Sequence, residues 1–364
     1  MVKYLLSNIY FSSVFIIIIS FLFTFIIIPK IIWIVNNLKL NDVPDSRSSH
    51  KNSVPTMAGV AFFITLILVL FFVQSYDTDN ISISLIAAVT LIFIIGLKDD
   101  LVLSTPRARL LMEIMATVIV MSCDCMRVPT LNGFLGINNL PIVISYIGII
   151  LGVVIIVNAY NLIDGIDGLA ISIGIIIFSI YAFIFYETGF YFYYLLCLSL
   201  IGILLAYSRY NISTTQKVFM GDTGSLIVGF CIGFFTLKFM NMGATIFNPF
   251  NFKLENQLFV ALAILNVPLF DMIRVSGIRL LKRKSPFYAD RNHLHHILVD
   301  IGISHFKSSL ILGFINYALV ILIIYLSSHF NSYQMIGFTI IIFILFILST
   351  HKLNKLRKQK KHIF

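Results

Sequence analysis

Uninterrupted apolar runs of 17 to 20 residues recur along the whole chain, the first from Tyr10 to Ile28. Each is long enough to cross about 30 Å of hydrocarbon as a helix. Lipid offers no partner to an open backbone, so only helices and closed barrels can span it. Membrane barrels alternate apolar and polar residues, and these runs do not alternate. Charged residues make up 12% of the chain and hydrophobic ones 59%, against roughly 25% charged in soluble domains. The sequence predicts an all-α polytopic membrane protein.

Eleven candidate spans begin near residues 10, 56, 81, 108, 140, 169, 190, 224, 257, 309 and 332. The first lacks a basic start and is followed by Pro29 and Lys30 without an A-x-A-like site, so it reads as a span rather than a cleaved signal peptide. The fourth contains Glu113 and the eighth runs into Lys238, which makes both weak. An odd number of spans puts the termini on opposite sides. With the N-terminus outside and the C-terminus cytoplasmic, only Lys3, Arg127, Lys238 and Lys253 of the 26 basic residues fall outside, as the positive-inside rule requires. The net charge of +10 is then mostly topology. It also suits anionic lipid head groups. Scattered basic loops without stacking aromatics argue against nucleic acid. The expected organisation is one integral-membrane catalytic domain over 1–351, with active-site loops at 34–55, 98–108, 158–168, 208–224 and 274–307, and a basic cytoplasmic tail at 352–364. The four cysteines, Cys123, Cys125, Cys197 and Cys231, make no metal spacing; Cys123 and Cys125, near the end of a span, could pair, and the plainer reading is that they stay buried.

Under this topology the polar clusters share the cytoplasmic face. Asp99 and Asp100 in "GLKDDLVLSTPRARLL" suit metal binding or proton removal from a nucleophile; the plainer reading is a solvated helix end. In "NAYNLIDGIDGLA", Asn158, Asn161, Asp164 and Asp167 recur at spacing three, so a helical turn groups them. Their hard oxygens suit Mg²⁺ and uracil or ribose edges, whereas Asp167 could simply cap the next helix. Asp222 in "GDTGS" sits at a helix start, a natural anion site or ordinary cap. Arg291, His293, His295 and His296 in "RNHLHH" fit phosphate oxygens. Zinc would need a further ligand, and no cysteine is near. Lys51, in "SSHKNSVPTMAG", could reach an anion or a carbonyl.

Taken in order, "HKNSVPTMAG", "GLKDDLVLSTPRARLL", "NAYNLIDGIDGLA", "VFMGDTGS" and "PLFDMIRVSGIRLLKRKSPFYADRNHLHH" resemble the motifs of the polyprenyl-phosphate N-acetylhexosamine-1-phosphate transferases, over about residues 45 to 302. The last block looks like the WecA/TagO-type branch. The MraY branch usually carries an all-His run followed by Phe-Glu, absent here, and remains the alternative within the family. Ala58 departs from the family, where a second glycine is common.

The resemblance implies transfer of N-acetylhexosamine 1-phosphate, GlcNAc by default, from a UDP-sugar to undecaprenyl phosphate in the bacterial cytoplasmic membrane. UMP leaves, and Mg²⁺, or Mn²⁺ in its place, assists. By resemblance Asp222 and Asn161 hold the metal, Asp167 contacts uracil with Asp164 between, and Asp99 and Asp100 activate the lipid phosphate. Arg109 then faces phosphate, and Arg291, His293, His295 and His296 close on the pyrophosphate. A homodimer is a family-level expectation. A secondary transporter is the rival class; its ionisable residues belong near the bilayer midplane on broken helices.

Overall fold

Each of the eleven apolar runs is helical in the computed structural model, which describes residues 8–38, 41–42, 54–102, 104–126, 130–243, 249–285 and 290–361. The helices are α1 (Ile9–Asn37), α2 (Gly59–Val73), α3 (Ser82–Val102), α4 (Pro106–Met121), α5 (Ile142–Ile163), α6 (Leu169–Glu187), α7 (Tyr191–Asn211), α8 (Gly221–Met240), α9 (Gln257–Ile264), α10 (Asn266–Leu281), α11 (Leu294–Asp300), α12 (His305–His329) and α13 (Ser332–Lys361). A two-residue antiparallel pair, β1 (Asn41–Asp42) and β2 (Val54–Pro55), bridges α1 and α2. Among the described residues eight helices are long and apolar enough to cross a membrane, and the bent pair α9/α10 makes a ninth. α3 and α4, at the third and fourth expected spans, are helical but outside that set. α4 has 16 residues, and α3 carries Lys98, Asp99 and Asp100 near its end.

α8 is the axis of the bundle, packed against α3, α5 and α2 and buried along nearly all its length. Between apolar helices in lipid, close packing replaces the hydrophobic drive, and small residues permit it. Gly59 and Gly224 supply the closest approach: a Cβ on Gly59 would lie 2.1 Å from the Gly224 nitrogen. Gly96 does the same for α3, its Cβ position falling 2.6 Å from Thr223 Cα. The chain before α2 is bonded into this seam, since Ala58 N donates to Phe219 O and Gly59 N to Met220 O. Ala58, where the family commonly has a second glycine, is fully buried there.

The α9/α10 pair bends by 74° at Leu265. Pro268 has no N–H to give the Ile264 carbonyl, and a carbonyl left bare in an apolar bundle is expensive. Asn316 of α12 repairs the break: its Nδ2 donates to Ile264 O at 3.2 Å and its Oδ1 accepts from Val267 N at 3.2 Å. The buried Lys238, which weakened the eighth span, is neutralised by Asp79 at 2.6 Å and lies 4.3 Å from the Phe190 ring centre. All four cysteines are free, Cys197 and Cys231 fully buried and Cys123 and Cys125 half-buried.

Gly59→Ala is expected to lower stability by about 1–3 kcal/mol, because the new methyl meets backbone rather than a movable side chain. Gly148→Ala, where nothing lies within 4 Å, should leave it unchanged or slightly raised. Thermal midpoints of the two variants in one detergent check the contrast.

Candidate active site

The site is built where α3 and α5 end and α8 begins. Gly221 turns at φ 72°, a left-handed conformation open to glycine at little cost. A Cβ there would meet the Asp100 carboxylate at 2.6 Å. Asp100 Oδ1 accepts from Asp222 N at 2.7 Å, and its Oδ2 accepts from Thr223 N and Thr223 Oγ1. The first amides of a helix are orphan donors carrying partial positive charge. The anion site expected at this helix start is therefore filled by the protein's own carboxylate. Asp99 turns elsewhere and accepts from Ser104 N, so the adjacent acids work in different surroundings.

Asp222 is held from several sides and still reaches solvent, its side chain 38% exposed. Asn161 Nδ2 donates to Asp222 Oδ1 and to Ser225 Oγ, both at 2.7 Å. Arg109 Nη1 lies 3.5 Å from the same Asp222 oxygen. Behind them Glu113, fully buried, accepts from Arg109 Nε at 3.1 Å and from Asn158 Nδ2 at 2.8 Å. The Glu113 that counted against the fourth span thus anchors two of the expected site residues. Its signal was present in the sequence as the i,i+4 spacing from Arg109. Arg109 Nη2 is buried with no hydrogen-bond partner among the described residues. A buried donor without an acceptor is costly, and an oxyanion entering here would satisfy it.

Asn158 and Asn161 lie on the last turns of α5, Asp164 is its C-cap, and Asp167 follows in the turn. Burial, together with the negative charge of Asp222, Asp167 and Asp100, pushes Asp164 up to about 7. Asp167 does not cap α6, whose cap residue is Gly168 with no side-chain bond. Burial opposes its charge, but Lys217 at 2.6 Å and His305 at 3.1 Å hold its carboxyl below the ordinary value. Ser309 Oγ donates to Asp167 O at 2.8 Å. Lys217, His305 and Ser309 were not expected here. No spacing rule links them to "NAYNLIDGIDGLA": the packing of α12 on α6 brings in His305 and Ser309, and the loop between α7 and α8 brings in Lys217.

The "RNHLHH" segment is pinned from beneath by α10. Asp271 accepts from Leu294 N, pairs with His293 Nδ1 at 2.9 Å and binds Arg274 at 2.6 Å. The other ring nitrogen of His293 faces Arg279 at 3.3 Å. With both nitrogens engaged, His293 positions the segment rather than reaching for a ligand. His295 is buried against the "DGIDG" turn, and a Cβ on Gly165 would fall 2.3 Å from its Nε2. The His296 ring lies beside it, tilted by 51° with ring centres 4.2 Å apart, and Arg291 binds Asp300 at 3.0 Å. Burial keeps His295 well below the usual histidine range, and burial plus the Arg291 charge holds His296 at about 4. His295 and His296 are therefore neutral at neutral pH, while Arg291 brings a fixed positive charge to the segment. Lys51 lies outside the described residues.

Among the described residues no group of three or more His, Cys, Asp or Glu is placed to hold a metal. Mg²⁺ needs no such cluster, since it takes one or two carboxylates, waters and substrate phosphates. Asp222 and the Asn161 carboxamide oxygen are hard donors of that kind.

Residues 82–240 match the model of glycosyl transferase family 4. The chain is 30% identical over 316 residues, 85% of its length and 84% of the relative's, to a probable undecaprenyl-phosphate N-acetylglucosaminyl 1-phosphate transferase of Bacillus subtilis (strain 168). It is 27% identical over 286 residues, 78% of this chain and 75% of the other, to the undecaprenyl-phosphate alpha-N-acetylglucosaminyl 1-phosphate transferase of Escherichia coli (strain K12). The enzyme of that name from Yersinia pestis is 27% identical over 267 residues, 72% and 70% of the two chains. The chain belongs to glycosyl transferase family 4.

His296 gives a pH prediction. Its folded value near 4 lies below the ordinary 6.5, so the unfolded chain binds the extra proton and stability falls as pH drops from 6.5 towards 4. His296→Gln should remove roughly 2 kcal/mol of that loss. Denaturation at pH 6.5 and 4.5 checks it; equal acid losses in both proteins would contradict it.

Proposed function

We propose that this protein transfers N-acetylhexosamine 1-phosphate, GlcNAc 1-phosphate by default, from a UDP-sugar to undecaprenyl phosphate. An oxygen of the lipid phosphate bonds to the sugar-bearing phosphorus, the bond from that phosphorus to the bridging oxygen breaks, and UMP leaves. The lipid-diphosphate sugar formed would begin a cell-surface polysaccharide. The observation that carries this reading is the buried Arg109 Nη2, without a hydrogen-bond partner among the described residues, beside the Asp222–Asn161 pair. A cation and a cation ligand side by side, at one end of an apolar bundle, suit a phosphate brought by lipid. The names of the relatives support the same substrates.

Two anions must meet here, and unit charges 4 Å apart repel by about 4 kcal/mol at an effective dielectric of 20. Arg109, fixed by Glu113, would receive a phosphate oxygen. Arg291 and the neutral His295 and His296 would close over the pyrophosphate from the other side, taking up its charge as hydrogen-bond donors. Asp164 and Asp167 lie at the turn where the nucleotide would enter. Bound at Asp222 and Asn161, Mg²⁺ would supply Lewis-acid neutralisation of the pyrophosphate. Phosphoryl transfer is chiefly positioning plus such stabilisation. Asp100, engaged with α8, orients Asp222, and Asp99 is the acid left for the lipid phosphate. We read all eleven runs as crossings of the bacterial cytoplasmic membrane, with the N-terminus outside and the site on the cytoplasmic face, since the motif-bearing helix ends gather at one end.

Purified protein with undecaprenyl phosphate and a panel of UDP-sugars should release UMP with one N-acetyl sugar, depending on lipid and abolished by EDTA. No release from a folded sample with any sugar would overturn the reading. Asp222→Asn should lower kcat by about 10²–10³-fold, the scale for losing one electrostatic stabiliser. Arg291→Ala should chiefly raise KM for the nucleotide sugar, and an unchanged KM would remove Arg291 from the site.

A further inference from the structure

Within the segment expected as a basic cytoplasmic tail, α13 runs unbroken to Lys361. Its last turns have two faces. Leu353 and Arg357 turn inward, while Lys352, Lys355 and Lys358 are exposed. The inward face lands on α11, the short helix bearing His295 and His296. Arg357 Nη2 lies 2.6 Å from Asp300 Oδ2, and its Nη1 donates to Arg291 O at 3.0 Å. Lys360 Nζ donates to Ile301 O at 2.7 Å, one residue past the helix. Asp300 is shared, since Arg291 holds its other oxygen at 3.0 Å.

A helix of seven residues is far too short to stand alone. α11 is held at both ends by groups from elsewhere. At its start Asp271 takes the Leu294 amide and the His293 ring. At its end the last carbonyls carry partial negative charge, where cations are favourable, and α13 delivers two of them. We propose that the C-terminal extension of α13 is a clamp on the active site, with Arg357 as a positioning residue that fixes Arg291, His295 and His296 over the "DGIDG" turn. The kinetic part of this inference rests on the transferase reading; the structural part does not.

The test uses the full-length protein in lipid nanodiscs and two readouts: amide hydrogen exchange across 290–302, and kcat and KM for the UDP-sugar. Arg357→Ala should speed exchange of that segment about tenfold, with α8 amides unchanged. It should lower kcat/KM about tenfold, mainly through KM, as expected for displaced binding groups. Arg357→Lys should recover most of both, and Lys355→Ala, which removes the same charge from the exposed face, should match wild type. Wild-type exchange in Arg357→Ala would overturn the clamp, and faster exchange with unchanged kinetics would overturn its positioning role. If wild type itself releases no UMP, the transferase reading fails, and exchange still decides the clamp. Should Arg357→Ala not fold, Lys360→Ala, which loses only the bond to Ile301 O, carries the same two readouts.

Discussion

The carboxylate of Asp100 on the first amides of α8 is the contact from which the site takes its shape. A helix buried along nearly its whole length presents its N-terminal donors to a space with little water. Something negative must meet them or folding leaves them bare. Because the acid comes from α3, the same contact that satisfies α8 also locks two helices in register and aims Asp222. It needs the backbones close, and Gly96, Gly221 and Gly59 make room. Structural glycine and reactive acid are thus parts of one arrangement.

A second layer follows from burying charge. Glu113, inside α4, would be intolerable in an apolar bundle without partners, and Arg109 and Asn158 supply them. In return it holds both against free rotation. Arg109 is left with a buried nitrogen that has no partner among the described residues and could take an incoming acceptor. The far end of the bundle answers a similar problem differently, where Lys238 is neutralised by Asp79 against aromatic rings and does no evident chemistry. Two buried charges that look alike in sequence have unlike consequences, because only one of them borders the polar end of α8.

The polar segments over this end are fastened by side chains from distant helices. Asp271 holds the start of α11, Arg357 and Lys360 hold its end, and His305, Ser309 and Lys217 hold the turn after α5. The likeness to glycosyl transferase family 4 and the geometry meet here: a lipid-facing bundle carries a small polar platform in which arginine supplies positive charge and burial keeps His295 and His296 neutral.

The apolar runs by themselves determined an all-α membrane protein, because only helices and closed barrels satisfy their own backbone hydrogen bonds in lipid and these runs lack the alternation of a barrel. The motif text pointed to Asn158, Asn161, Asp167, Asp222 and Arg109 as candidate site residues, because polar groups are costly in so apolar a chain. Tertiary structure decided what each does. Asp100 and Asp99 are adjacent and chemically identical in sequence, yet only Asp100 meets α8. His293, His295 and His296 form one motif, but both nitrogens of His293 are taken by partners 14 to 22 residues away. Glu113 and the 352–361 segment looked like a blemish and a tail, and became an anchor and a cap. Periodicity and spacing report which residues share a face of one helix; which helices meet, and how closely, is set by packing over the whole bundle.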